Sequence, residues 1–112
     1  FESRAEKEPQ RLLLALEAAE RARAREAWDP AQWIAVAAIE AQLGRHAVAA
    51  RTYAGALTRN PWSGRALSGR AGALRALGRR IQAEACADAH PLETRSGSAL
   101  RRSRSVCLGE AD

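Results

Sequence analysis

Two histidines, two cysteines and a few paired carboxylates are the side chains in which chemistry is sought first in this sequence of 112 residues. His46 follows a Leu-Gly-Arg turn and His90 precedes Pro91. Neither belongs to an HExxH motif or to an Asp/His/Ser constellation, and both read as residues at helix ends on the surface. Cys86 and Cys107 are 21 positions apart, with no CxxC and no His partner at zinc spacing, so they are expected as free thiols in a reducing compartment. Glu84 and Asp88 flank Cys86 on a helix and would disfavour a thiolate there, and no His base is placed to activate it. Glu17 with Glu20, and Glu84 with Asp88, share a helix face as solvated pairs do. Gly64, Gly69, Gly72 and Gly78 follow no phosphate-binding pattern. The expectation is therefore a chain that is no enzyme and holds no cofactor and no metal.

The elements that carry these residues are helical. Hydrophobic residues make up 46% of the chain, but 27 are Ala and only 18 are Leu, Ile or Val. Ala is the best intrinsic helix former, and the β-branched and aromatic strand formers are scarce. Five helices are expected, at 9–27, 30–43, 46–58, 64–77 and 80–89. Residues 1–8 are expected as a frayed N-terminus. Residues 90–112, rich in Ser, Arg and Gly, are expected as a basic, disordered tail. No apolar run approaches the ~18 residues that a membrane-spanning helix needs. The N-terminus lacks a signal-peptide core, so a cytoplasmic location is the default.

The sequence repeats itself. At an offset of 34, Trp28 falls on Trp62, and Leu43-Gly44-Arg45 falls on Leu77-Gly78-Arg79. Ala15, Ala49 and Ala83 form one column, and Ala22 aligns with Ala56. Gly44 is suited to the positive φ of a helix C-terminus. Trp33 and Tyr53 are large enough to fill space between neighbouring helices. Pro61 ends the helix before it. The paired Trp28 and Trp62 sit in connections, where they are expected to pack between units.

From Pro30 to Pro61 the chain resembles the tetratricopeptide repeat family, whose period is 34. Trp33 takes the first aromatic position and Gly44 the turn. Ala49 and Tyr53 match the A-x3-F pair, followed by Ala56 and Pro61. Glu40 stands where the family has Tyr. Residues 64–89 resemble a second unit through Leu67, Gly78 and Ala83, and 9–27 resemble the second helix of a preceding one. The resemblance implies an all-α fold of antiparallel helix-turn-helix units, a short right-handed solenoid of about two and a half repeats. One repeat cannot bury its apolar face alone, and no closing cap is evident, which suggests a piece of a longer array or a domain completed by a partner or by self-association.

The resemblance also implies a groove along the first helices of successive units, a scaffold that binds a peptide or a helix. Its positions are Ala31, Ile34, Ala35, Ala38, Ala41 and Gln42, then Arg65, Ser68, Gly69, Gly72, Arg75 and Ala76. The first wall is small and apolar and the second adds two cations, a combination that suits an acidic–apolar protein segment. Family members that clamp a C-terminal carboxylate use Lys and Asn where this chain has Ile34 and Ala38, or Ser68 and Gly72, so that clamp is not expected. The net charge of +5 comes from 17 Arg and one Lys, which also matches GC-rich codon usage. Arg21, Arg23 and Arg25 alternate around a helix, and stacking aromatics are missing beside Arg65, Arg70, Arg75 and Arg79, so nucleic-acid recognition is the weaker reading. The alternative role is that of an appendage to a larger bacterial regulator or envelope glycan polymerase or ligase, with no activity of its own.

Overall fold

The computed structural model describes residues 4–89 and 97–109, and all regular structure among them is helical. The elements are α1 (Arg4–Arg25), α2 (Pro30–Gln42), α3 (His46–Arg59), α4 (Gly64–Ala76), α5 (Arg80–Asp88) and α6 (Gly97–Cys107). Four of the five expected helices end within about one residue of their expected limits. The first differs more: it begins at Arg4, with Pro9 inside it, so residues 4–8 are helical where a frayed end was expected.

Each helix packs on the next in the chain, and α2 also meets α4. The turns that enforce this are chemically defined. Asp29 caps α2 by accepting from the Ala31 N–H at 3.0 Å, and Pro30 fills the first helical position, where a missing N–H costs nothing. Thirty-four residues on, Ser63 caps α4 by accepting from the Ala66 N–H at 3.2 Å. The two Leu-Gly-Arg turns are the same device used twice. Gly44 and Gly78 have φ of +80° and +78°. Arg45 N–H donates to the Glu40 carbonyl and Arg79 N–H to the Leu74 carbonyl, both at 2.9 Å. Bonds from the residue after the glycine back to the last helical turn satisfy carbonyls that a helix end otherwise leaves open.

The core is Ala-rich, with Leu57, Leu67 and Leu74 as its largest fully buried aliphatic residues. Small residues let the helices approach closely, and two aromatic rings fill the gaps that remain. A Cβ on Gly55 would stand 2.5 Å from the Trp33 ring, and one on Gly69 2.2 Å from the Tyr53 ring. Trp33 of α2 thus rests on the backbone of α3, and Tyr53 of α3 on that of α4. The two rings fill space between helices as expected, and the paired glycines are what make room for them.

Three expectations are corrected. Cys86 and Cys107 are joined in a disulfide; they are 21 apart in sequence but adjacent in space, because α6 returns across α5. The tail is not wholly without structure: Gly97–Cys107 form α6, with Cys107 fully buried. The remaining tail positions, 90–96 with His90 among them and 110–112, lie outside the described residues. Third, Trp28 is 74% exposed and Trp62 41%. Both lie in exposed turns, and it is Trp33 that packs against the α3 backbone at Gly55.

Candidate functional site

The sequence placed a groove on α2 and α4, and these two helices do meet. On α4, Arg65, Ser68, Gly72 and Arg75 are all exposed. Their spacing of three, four and three residues keeps them on one helix face. On α2, Ala31, Ala35 and Gln42 are exposed, and Ala38 and Ala41 are half-buried. Ile34 does not line a groove. It is 8% exposed and belongs to the core cluster, because its position on α2 faces the packing helices. Gly69 is taken up by the Tyr53 ring, whereas a Cβ on Gly72 would meet nothing within 4 Å.

Burial pushes the Tyr53 phenol above its ordinary pKa, and the Arg65 cation pulls it part of the way back. Arg65 therefore acts electrostatically at the seam between α3 and α4 while its side chain is exposed. The ends of the face open differently. Gln42 lines a cleft of about 470 Å³ with Glu8, Pro9, Leu12 and Leu43. Arg75 lines a separate cleft of about 420 Å³ with Arg80 and Glu84. Neither of these two clefts gathers the candidate residues of both helices.

Several polar residues that the sequence reading left without a role are buried and partnered. Glu40, which breaks the repeat pattern, is 6% exposed. The Thr52 hydroxyl lies 2.6 Å from its Oε1 and 3.0 Å from the Val48 carbonyl; with one proton, it donates to one of them at a time. Arg70 is 7% exposed. Its Nε donates to the Cys107 carbonyl at 2.8 Å and its Nη1 to the Ala50 carbonyl at 2.6 Å. Gln82 Nε2 donates to the same Cys107 carbonyl at 3.0 Å. Desolvation, then the nearby Arg79 charge, lower the Arg70 pKa. Arg70 therefore ties α3 and α4 to α6, next to the disulfide. The signal in the sequence was a cation at an apolar position of α4, between Leu67 and Leu74.

Trp33 carries a second polar arrangement. Its Nε1 donates to the Ala27 carbonyl at 2.8 Å, and the Arg59 Nε donates to the same oxygen. The guanidinium carbons of Arg59 and Arg23 lie 3.9 and 4.8 Å from the Trp33 ring centre, within the range of cation–π attraction. His46 is the first residue of α3, and its buried Nδ1 has no hydrogen-bond partner among the described residues.

Among the described residues, no group of three or more His, Cys, Asp or Glu is placed to hold a metal ion. No helix among them is long and apolar enough to cross a membrane. No protein-family model, curated protein or solved structure matches the chain.

Proposed function

We propose that this chain is a non-catalytic scaffold: a short α-solenoid of tetratricopeptide type whose α2–α4 face binds an acidic, partly apolar protein segment. The turns support the solenoid reading, since capping and helix-end hydrogen bonds recur 34 residues apart. In this reading α6, packed on α5, closes the stack. The observation that carries the binding role is the exposed line Arg65, Ser68, Gly72 and Arg75 on α4. It holds two cations, and no carboxylate among the described residues pairs with them. Gly72 costs about 1 kcal/mol of helix stability relative to Ala, yet no neighbouring group occupies the space over it. A ligand backbone can approach there.

The test is the affinity of a labelled acidic, Leu-containing peptide for the protein and for Arg65→Glu/Arg75→Glu. The double reversal should weaken binding at least tenfold without lowering the melting temperature. An unchanged affinity removes the groove. The disulfide favours a second element of the reading: such bonds persist in oxidising compartments, so the scaffold serves outside the cytoplasm, as the envelope-appendage alternative requires.

A further inference from the structure

The two exposed tryptophans lie on an edge of the molecule distinct from the α2–α4 face. Trp28 and Trp62 occupy equivalent positions of the turns at 26–29 and 60–63. The Asp29 N–H donates to the Glu26 carbonyl in one, and the Ser63 N–H to the Asn60 carbonyl in the other. The two turns are neighbours in space, because Arg59, three residues before Trp62, donates to the carbonyl of Ala27, one residue before Trp28.

This edge is cationic as well as aromatic. Arg23 and Arg59 both lie against Trp33, within one Debye length of each other (~10 Å at 0.1 M salt). Arg25 is exposed on the last turn of α1. None of the three is paired with a carboxylate among the described residues. The two acids of the first turn are engaged locally: Asp29 caps α2, and Glu26 accepts from Gln32 Nε2 at 3.2 Å. The edge therefore sets three guanidinium groups against two carboxylates, beside the Trp28 indole, 74% exposed, and the Trp62 indole, 41% exposed.

We propose that this edge docks on an anionic lipid bilayer, with Trp28 and Trp62 inserted at headgroup depth and Arg23, Arg25 and Arg59 over the lipid phosphates. Two observations favour a bilayer over an acidic protein. The rings belong to adjacent turns whose residues are mostly exposed. Indole, with an apolar body and one N–H donor, is the side chain suited to the boundary between water and hydrocarbon, and cations beside it draw the edge to an anionic surface.

The experiment is co-sedimentation of the intact protein with vesicles of phosphatidylcholine alone and of phosphatidylcholine with one-third phosphatidylglycerol, at low and high salt. Binding is expected to the anionic vesicles, to weaken with salt, and to come with a blue shift of tryptophan emission. Trp28→Ala/Trp62→Ala and Arg25→Glu should each weaken it roughly tenfold. All three replaced side chains are exposed, and none belongs to the α2–α4 face, so peptide binding by that face is unaffected. Brominated acyl chains should quench the unmodified protein, a readout that needs no variant. Absence of association with anionic vesicles at low salt overturns the proposal. So does full affinity in the double tryptophan variant, or capture of an acidic peptide or a single-stranded oligonucleotide through these tryptophans in place of vesicles.

Discussion

Replacing Gly69 and Gly72 by Ala, one at a time, probes the packing of the fold within a single helix turn. Both lie inside α4, where Ala is favoured over Gly by about 1 kcal/mol. At Gly72 the added methyl meets nothing within 4 Å, so Gly72→Ala should gain most of that amount. At Gly69 the same methyl would stand 2.2, 2.3 and 2.7 Å from three carbons of the Tyr53 ring. That ring is 7% exposed and cannot swing into solvent. Overpacking of this kind costs about 1–3 kcal/mol, and three close contacts with a rigid ring place the cost near the upper end. Net of the helix gain, Gly69→Ala should lose about 1–2 kcal/mol. The two variants should thus differ by about 2–3 kcal/mol, or roughly 10 °C in melting temperature for a chain of this size. Urea and thermal unfolding followed by circular dichroism read the difference directly. If both substitutions stabilise equally, Tyr53 does not rest on Gly69, and the close approach of α3 to α4 is wrong.

Removing the disulfide, by Cys86→Ser/Cys107→Ser or a dithiol reductant, should cost about 3 kcal/mol for a loop of this length; unchanged hydrogen exchange in α6 after reduction would contradict its role in holding that helix. Trp28→Ala should fall within about 0.5 kcal/mol of the parent, as an exposed substitution does, whereas Trp33→Ala should cost about 3 kcal/mol. Equal losses in denaturant titrations would reverse the assignment of which ring is packed. Tyr53 is the sole tyrosine, so alkaline absorbance reads it alone. With its pKa raised in the folded state, the folded chain holds that proton to higher pH than the unfolded chain. Its contribution to stability is intact below the unfolded value of about 10 and is lost as pH rises through the folded one. Arg65→Ala should move the titration still higher, and ionisation at or below the unfolded value would refute the burial of the phenol.

Helix content, helix limits and both Leu-Gly-Arg turns were readable in the sequence because they rest on local chemistry: Ala-rich composition, proline stops and glycine at positive φ. The period of 34 was readable for the same reason, since each turn repeats its own short-range hydrogen bonds. Which aromatic of each pair is buried was not. Trp28 and Trp33 stand five residues apart, and only the close approach of α2 to the Gly55 backbone on α3 determined that Trp33 enters the seam and Trp28 faces water. Gly69 was readable only as a groove position; the Tyr53 ring over it is what requires a glycine there, while Gly72, three residues on, supports no neighbour. Glu40 looked like a broken motif, and its partner Thr52 is set by the register of α3 against α2. The cysteine pair shows the limit most plainly. Spacing in the chain carries no information about distance when a helix folds back, and it was the return of α6 across α5, held by Arg70 and Gln82 at the Cys107 carbonyl, that turned two expected free thiols into a covalent link.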